Sequence, residues 1–394
     1  MHFKTLRPDP LRLEGFVDVF VTDVILNDGV KAVNCSEDDF YSNNLPKFIE
    51  KECAGIATVC VFGSTPEGHS VYVELIGYEP WIRIEVPDSW QDNDIELWRK
   101  KCSEKFGEFI VIREKLKKFY GYEENKNGET RKFNYLRCCF PTLKMAKGAL
   151  WAMQQKKWDF LYKIFVSDKC TKWKTKCLND LKITPSSWIT LPVQNYKTKA
   201  SSTMERFSTC QYELFNSIHD LRECKRENIP PLLIASFDGE MYSEDGSFPN
   251  PLKGDKTIYL GLSVMKYGQD KITKYIFGEG AIENPSQSEC DFIYIECKNS
   301  KEIVENFRDC IITLDVDLIT GWNTYGFDYV FLYEDYDSYF QPPHLRGSQS
   351  SNPCAQAQGC QKNIHELYHE LEKNTVAFER WFTQKEYEFG VRKM

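Results

Sequence analysis

An apolar run that leads directly into two acidic residues is the feature that most restricts how this chain folds. Residues Leu232 to Phe237 follow two prolines and precede a turn-rich sequence, a pattern typical of a buried strand. Side chains two positions apart on a strand leave the same face, so Asp238 and Glu240 point in one direction. Two carboxylates on a rigid element predict a site for a divalent metal ion.

The alternative is that this Asp-x-Glu triplet is a chance occurrence. The chain holds 58 acidic residues and a second such triplet, Asp94-Ile95-Glu96. That second triplet precedes Leu-Trp-Arg-Lys and is typical of the solvated first turn of a helix. The spacing alone does not separate the two triplets, and only the apolar strand that leads into Asp238 favours a site there.

The order of patterns after residue 230 predicts a mixed sheet with helices packed on it. Strands are predicted at 257–267, 271–278, 291–297 and 318–321. Between the last two, a helix is predicted to open at Asn299 with a capping pair and to carry one apolar stripe. The stripe consists of Ile303, Phe307, Cys310, Ile311 and Leu314. This order is typical of an α/β (α+β) fold.

Asp328 is the third acidic residue of interest. It follows the predicted strand at 318–321 and lies at or near the start of another helix. Because that strand is expected to neighbour the strand at 232–237, Asp328 is predicted to emerge close to Asp238 and Glu240.

The N-terminal half predicts a β-rich unit with a helical insert. Residues 11–33 predict a hairpin or strand pair, and residues 55–86 predict three short strands. Residues 91–118 and 142–157 have helical periodicity.

A pair of prolines marks the predicted limit between two domains. Pro230-Pro231 marks the boundary of an N-terminal domain, residues 1–229, and a second domain follows over 230–340. Residues 341–394 begin with a polar, turn-rich sequence and are interpreted as a linker and helical tail.

Charge is unevenly distributed along the chain. The net charge is −8, yet residues 99–182 hold 22 Lys and Arg against 9 Asp and Glu. Basic residues interleaved with aromatic ones suit a phosphate backbone and unstacked bases, whereas the alternative is a solvated lysine face. The aromatic residues are Phe106, Phe109, Phe119, Tyr120, Trp151, Trp158 and Trp173.

No membrane-spanning or secreted character is predicted. The sequence has no run of about 18 uncharged apolar residues and no apolar signal region at its start. The 15 cysteines lack framework spacing, so they predict reduced thiols in an intracellular protein.

Four motifs in order resemble the family B DNA polymerases, and specifically the delta-like branch of eukaryotes and large DNA viruses. The motif SFDGE with GSFPNP resembles the first exonuclease motif, and DLITGWNTYGFD resembles the second. Upstream, VFGSTPEGHSVYVELIGYEPWIRI and PSSWITLP resemble the N-terminal region of the family. The resemblance covers roughly residues 15–335 and fades after about Phe340.

The resemblance implies a ribonuclease H-like sheet and 3'-5' exonuclease activity with two divalent ions, Mg²⁺ or Mn²⁺. Asp238 would bridge the two ions, Glu240 would bind one and orient the attacking water, and Asp328 would complete the second site. The substrate would be single-stranded DNA or a primer-template end. The resemblance also implies, as partners, the remaining polymerase portion and replication accessory proteins, and, as location, the nucleus or a viral replication site.

Three further residues are implied to contact or support the nucleic acid. Phe248 would stack on unpaired bases, Asn323 would support the site by hydrogen bonds, and Phe327 belongs to the same motif. The alternatives for Phe248 and Asn323 are a loop anchor and a local turn cap.

The sequence departs from the family pattern in ways that predict weak activity at most. Gly239 stands where the family usually has an apolar side chain. The family's third motif, Tyr-x-x-x-Asp, has no counterpart, because Tyr333 to Asp337 would place its acid about 13 Å from Asp328 along one helix. Palm motifs for polymerisation are absent. The competing hypothesis is therefore a non-catalytic nucleic-acid-binding or interaction module.

The tail contains one rival metal motif. His365-Glu366-Leu367-Tyr368-His369 matches the zinc-protease pattern, in which two histidines share a helix face. An exposed amphipathic helix is one interpretation, and a small zinc site of His365 and His369 with Cys354 and Cys360 is the second. A protease site is the third.

Overall fold

The computed structural model describes most of the chain up to the start of the tail. The described residues are 3–28, 56–117, 128–154, 163–164, 172–198, 208, 210–282, 291–324, 327–329 and 331–332. Within them the fold is mixed α/β, as predicted, with three sheets. In this part of the chain, no helix is long and apolar enough to cross a membrane.

Four helices and sixteen strands are defined within the described residues. The helices are α1 (Asp92–Phe106), α2 (Leu143–Gln154), α3 (Trp173–Leu181) and α4 (Ser300–Leu314). The strands are β1 (Phe16–Asp28), β2 (Ala57–Ser64), β3 (Ser70–Ile76), β4 (Trp81–Glu85), β5 (Ile110–Lys117), β6 (Lys132–Cys139), β7 (Lys163–Ile164), β8 (Trp188–Pro192), β9 (Asn195–Thr198), β10 (Tyr212–Ser217), β11 (Arg222–Glu223), β12 (Leu233–Tyr242), β13 (Lys256–Lys266), β14 (Ile272–Glu279), β15 (Ile293–Cys297) and β16 (Leu318–Thr320).

A seven-stranded sheet forms the first layer, in the order β11-β8-β1-β2-β3-β10-β9. The described part of the hairpin or strand pair predicted over residues 11–33 is one strand, β1, of 13 residues, and residues 29–33 lie outside the described residues. Its partners are β2 and β8, and its alternate valines Val17, Val19 and Val21 enter the core. Both partner strands of β1 therefore lie far from it along the chain.

A four-stranded sheet lies next in the chain, in the order β5-β6-β4-β7, with α1 and α2 on one face. The helix predicted over 91–118 is wrong in its second half. Helix α1 ends at Gly107, whose positive φ of 79° lets its N–H donate to the Ser103 carbonyl at 2.9 Å. Residues Ile110 to Lys117 then form an edge strand.

A five-stranded sheet contains the carboxylate strand, in the order β15-β14-β13-β12-β16. The predicted strands and the predicted helix are confirmed here. Helix α4 packs its predicted stripe onto one face of the sheet, where Phe307 meets Phe237 with ring centroids 5.2 Å apart. Strand β12 is longer than predicted, because it continues through Asp238 and Glu240 to Tyr242.

One buried arginine joins these sheets. Arg7 donates to the Gly68 carbonyl at 2.9 Å, in the turn between β2 and β3, and to Asp317 Oδ1 at 2.8 Å, just before β16. The other carboxylate oxygen of Asp317 accepts from the Leu233 N–H at 2.8 Å, at the start of β12. Burial alone would lower the pKa of Arg7, but the charges on Asp317 and Asp315 outweigh burial and raise it. The N-terminal segment therefore ties the first sheet to the third.

A second buried charge cluster lies within the seven-stranded sheet. Glu74 on β3 is 1% exposed, and Glu213 on the neighbouring β10 is fully buried. Glu213 Oε1 accepts from Ser208 N–H at 2.6 Å and Ser208 Oγ at 2.9 Å. Burial and the nearby Glu213 charge raise the pKa of Glu74 to about 7.

Replacement of Arg7 by Ala is expected to lower the free energy of unfolding by ~3–5 kcal/mol, because Asp317 would stay buried without its cation. Urea unfolding followed by circular dichroism measures this loss. Arg12→Ala is the matched control, since Arg12 lies in the same segment but is 83% exposed. An equal, small effect of both variants would contradict the structural role of Arg7. The double variant Arg7→Met with Asp317→Asn is expected to lose less than the sum of the single variants.

Glu74→Gln is expected to remove a pH dependence of stability. A raised folded-state pKa makes the stabilising contribution complete below the ordinary value of 4.5 and removes it as the pH rises through about 7. The wild-type chain should therefore lose ~3 kcal/mol over this window, and Glu74→Gln should lose much less. Urea unfolding at pH 5, 6, 7 and 8 tests this, with the exposed Glu67→Gln as control. Parallel curves for wild type and Glu74→Gln would refute it.

Candidate exonuclease site

Strand β12 positions the first two carboxylates by simple alternation. Leu233, Ala235 and Phe237 are buried against α4, while Asp238 and Glu240 are exposed on the opposite face. In the pairing with β13, Asp238 lies opposite Gly261 and Glu240 lies opposite Tyr259. The register shifts immediately after Glu240, and such a bulge bends the strand next to the carboxylates.

The turn after β16 positions Asp328. Gly321 is packed so tightly against β12 that an added Cβ would lie 2.5 Å from the Phe237 carbonyl oxygen. Asn323 has a left-handed backbone with φ of 51°, and its carbonyl accepts from the Phe327 N–H at 3.0 Å. Helical backbone then begins at Asp328, as predicted.

The carboxylate of Asp328 contacts the strand at Gly239, the residue between Asp238 and Glu240. It is 3% exposed, and its Oδ1 accepts from the Gly239 N–H at 3.2 Å. The three acidic residues therefore surround one glycine, with Asp238 and Glu240 on the open face and Asp328 beside the strand. The sequence prediction that Asp328 lies near the carboxylate strand agrees with this geometry.

The electrostatics of the three acids couple them. Burial raises the pKa of Asp328, hydrogen bonds from its own backbone N–H and that of Gly239 lower it, and the charges on Asp238 and Glu240 raise it further. The net effect is a raised pKa. Negative charges gathered around Gly239 repel each other, and a cation would relieve that repulsion.

Gly239 gives Asp328 room to approach. An added Cβ at this position would lie 2.6 Å from Met241 Cε, 3.1 Å from Leu260 Cδ2 and 3.2 Å from Asp328 Oδ1. The flexible end of Met241 could move, but Leu260 is in the core. The departure from the family pattern at Gly239 thus coincides with a close approach of the third carboxylate.

The aromatic residues of the two motifs lie together. Phe248 is 74% exposed, and its ring centroid lies 4.7 Å from that of Phe327. Phe327 in turn lies 5.8 Å from Phe331. Phe248 thus contacts Phe327 and is otherwise largely exposed to solvent. Asn323 contacts the following helix through its backbone carbonyl.

The basic stretch at 99–182 does not present all of its predicted residues to a ligand. Phe109 is 3% exposed and stacks on Phe140 at 5.0 Å, so its interpretation as a base-stacking residue is wrong. Several arginines pair with carboxylates: Arg99 with Glu96 and Glu108, Arg113 with Asp92, and Arg131 with Asp88. The second Asp-x-Glu triplet lies in the first turns of α1, as predicted.

The exposed carboxylates suit one divalent ion better than a complete two-ion site. Hard cations such as Mg²⁺ take carboxylate oxygens and keep several waters, and Asp238 with Glu240 offers such oxygens on one open face. Across the described ranges, no group of three or more His, Cys, Asp and Glu has an arrangement that could hold a metal ion. His365 and His369, the residues of the predicted zinc motif, lie outside the described residues, as do Tyr333 and Asp337.

Trp322 is a residue that the sequence reasoning missed. It lies between Gly321 and Asn323 within the second motif, and its side chain is 90% exposed. It lines a groove of about 420 Å³ together with Asp238. The available signal was an aromatic residue within a turn that immediately follows a short strand.

Comparison with known families shows which family this part of the chain matches. Residues 171–366 match the family model described as DNA polymerase family B, exonuclease domain. The chain contains the exonuclease region of a family B DNA polymerase. The motif resemblance found in the sequence is thereby confirmed.

Relatives of this family B region include both cellular and viral enzymes. The chain is 23% identical over 316 residues to the DNA polymerase delta catalytic subunit of Schizosaccharomyces pombe, which covers 76% of this chain and 28% of that protein. It is 26% identical to the delta catalytic subunit of Dictyostelium discoideum, over 70% of this chain and 26% of the relative. It is 23% identical to a DNA polymerase of Acanthamoeba polyphaga mimivirus, over 70% and 16%. The chain therefore spans less than a third of each of these relatives.

A solved structure has the same fold. The family B DNA polymerase from the archaeon Pyrobaculum calidifontis matches with a TM-score of 0.51 and 17% identity. The match covers 82% of this chain and 33% of the archaeal one.

Asp328→Asn is expected to stabilise the family B region at neutral pH. Because the folded-state pKa of Asp328 is raised, its contribution to stability is present below its ordinary value of 3.8 and is lost as the pH rises through the raised value. Asn keeps the acceptor for Gly239 and removes the charge. Melting temperatures at pH 4, 6 and 7.5 should show a gain that shrinks as the pH falls. Asp270→Asn, at the exposed far end of the same sheet, controls for the loss of one charge, and an equal gain there would contradict the prediction.

Proposed function

We propose that this chain binds the 3' end of single-stranded DNA and supports weak, metal-dependent hydrolysis of the terminal phosphodiester. The observation that carries the proposal is the gathering of three acidic residues around Gly239, with Asp328 Oδ1 on the amide that separates Asp238 from Glu240. Each lies at the position that the exonuclease motifs assign to an acid. The replication role of the relatives and their location in the nucleus or at viral replication sites extend to this chain as part of the proposal.

Asp238 and Glu240 would hold Mg²⁺ or Mn²⁺ on the exposed face of β12. When bound, the ion would polarise the phosphate and lower the pKa of a coordinated water. Glu240 would orient that water for attack on phosphorus. The bond to the 3' oxygen of the preceding nucleotide would break, that oxygen would take up a proton, and the terminal nucleotide would leave as a 5'-monophosphate.

Asp328 would act from beside the strand. Its hydrogen bond to Gly239 fixes the backbone between the other two acids, and its charge adds to the field that favours a cation there. Its burial keeps its carboxylate off the open face that Asp238 and Glu240 occupy. We expect weak hydrolysis because two acids, rather than three, would face the ion.

Phe248 would contact unpaired bases at the primer end. Its ring contacts that of Phe327 and is 74% exposed, which suits stacking on a base without sequence preference. Asn323 would support the site by shaping the turn that delivers Asp328.

The second candidate is a non-catalytic module that binds nucleic acid. The absence of a three-ligand metal cluster within the described residues favours it. The exposed Phe248 and Trp322 would serve this function equally well. Salt-sensitive DNA binding without any cleavage is the result expected of such a module.

A cleavage assay separates the two candidates. A single-stranded oligonucleotide with a 3' label is incubated with the full chain and Mg²⁺ or Mn²⁺, and label release is measured. Asp238→Asn with Glu240→Gln is expected to lower the rate by about 100-fold or more. Asp94→Asn with Glu96→Gln, the same triplet on α1, is the matched control and should cleave as wild type does.

Cleavage that persists in the Asp238→Asn, Glu240→Gln variant would refute the site assignment. No cleavage by the wild-type chain at any metal concentration, with DNA binding retained, would replace the exonuclease proposal with the binding module.

A further inference from the structure

Strand β5 has one open edge. Among the described residues, β6 is the only strand that pairs with β5, so the opposite side of Ile110–Lys117 presents backbone N–H and C=O groups without a neighbouring strand. Proteins ordinarily shorten or cover such an edge, because it can pair with another extended chain. Here it runs for 8 residues. This side of Ile110–Lys117, called the β5 edge, is therefore a surface onto which a further strand can add.

The first half of the β5 edge is apolar. Ile110 and Ile112 lie on the same face of the strand and are 39% and 45% exposed. On the other face, the edge borders a groove of about 490 Å³ between α1 and β5, whose apolar lining includes Ile95, Phe109 and Val111. This half therefore suits an added strand with apolar side chains on both of its faces.

The second half of the β5 edge is positively charged. Lys115 and Lys117 are exposed on one face of β5, and neither makes an ion pair within the described residues. In the register with β6, Lys117 lies directly opposite Lys132, another exposed lysine. Like charges that face each other across a ladder destabilise it, so an acidic residue on the outer side of Lys117 would relieve this repulsion. Arg113 differs from the two lysines, because it already pairs with Asp92 at 2.7 Å.

These charges distinguish between possible partners. Glu114 is the only acidic residue of β5 and is already paired with Arg83, so a second copy of β5 offers no available carboxylate to Lys115 and Lys117. Lysine on an edge strand also discourages pairing between copies. A nucleic-acid backbone offers phosphate acceptors, and it would leave the carbonyls of the β5 edge unpaired and the isoleucines uncovered. An acidic peptide strand satisfies the amides, the carbonyls, the lysines and the apolar half together.

We propose that the β5 edge binds an extended peptide of a partner protein by strand addition, with acidic residues opposite Lys115 and Lys117 and apolar residues opposite Ile110 and Ile112. Main-chain hydrogen bonds supply affinity, and the side chains supply specificity. Antiparallel pairing is the more stable, so the acidic residues occupy the amino-terminal half of the peptide. The β5 edge belongs to the four-stranded sheet, whereas the candidate exonuclease site belongs to the five-stranded sheet, so this inference does not depend on the proposed function.

A designed peptide tests the inference on the full chain. The probe is fluorescein-labelled Glu-Val-Glu-Thr-Ser-Val-Leu-Val, whose acidic residues lie opposite Lys117 and Lys115 in antiparallel pairing, and binding is measured by fluorescence anisotropy. Reversal of both charges, in Lys115→Glu with Lys117→Glu, is expected to weaken binding about tenfold or more. The same variant is expected to bind the companion peptide Lys-Val-Lys-Thr-Ser-Val-Leu-Val more tightly than wild type does, because the charges are then exchanged.

Lys100→Glu with Lys147→Glu is the matched control, since both lysines are exposed on the helices of the same unit and the change in net charge is identical. It should bind the acidic peptide as wild type does.

Backbone pairing is tested with two versions of the acidic peptide, each N-methylated at every second residue, in the two possible phases. In an antiparallel ladder only alternate residues direct their N–H groups at the neighbouring strand. One version should therefore lose binding, and the other should retain it.

No binding of the acidic peptide by wild type, an equal loss in the two double variants, or equal effects of the two N-methylated versions would overturn the inference. Binding of oligothymidine in place of the peptide, lost in Lys115→Glu with Lys117→Glu, would assign the lysines to a nucleic-acid backbone instead. A dimer in sedimentation equilibrium that the same variant dissociates would assign the β5 edge to a second copy of the chain. Thermal melting of each variant is expected to show a retained fold, because the replaced side chains are exposed.

Discussion

A guanidinium buried at the meeting point of two sheets determines where the candidate site can lie. Arg7 places its donors on the Gly68 carbonyl and on Asp317, and Asp317 uses its other oxygen to hold the first amide of β12. A charge removed from water is costly unless its hydrogen bonds are made, so this network tolerates little displacement. Since Asp238 lies five positions along β12 from Leu233, the orientation of the carboxylates depends on a residue near the N-terminus.

Close backbone approach is the second constraint on the site. Gly321 and Gly239 each lie where a Cβ would meet a neighbouring strand or side chain, and together they bring the turn after β16 against β12. The same closeness places Asp328 within hydrogen-bond distance of the amide between Asp238 and Glu240. Acidic residues far apart in sequence therefore share one field, which adds to burial in raising the pKa of Asp328.

The sequence was informative where a local pattern coincided with the tertiary role. The stripe of α4, its cap at Asn299 and the short strands of the third sheet were predictable because each faces one buried layer. The strand β5 was not predictable, since its residues Ile110 to Lys117 are mostly exposed at a sheet edge and their charges also fit a helix. The partners of β1 were not predictable from its own sequence, because they lie far along the chain.

The positions of the three acidic residues were predictable only in part. Alternation along β12 correctly indicated that Asp238 and Glu240 share a face. Burial of Asp328 beside the strand depends on the contact of Gly321 with Phe237, which no periodicity reveals. The exposure of Trp322 was equally hidden, because an aromatic residue next to a buried strand is ordinarily part of a core.

The contact of Arg7 with Asp317 also orders the assembly of the chain in time. The two residues are 310 positions apart, so the segment that carries Arg7 is synthesised well before Asp317. At usual rates of synthesis this interval is roughly 15–60 s. During that time the segment has neither the Asp317 carboxylate nor β12 to bind. The contact between this segment and the third sheet is thus made late in synthesis.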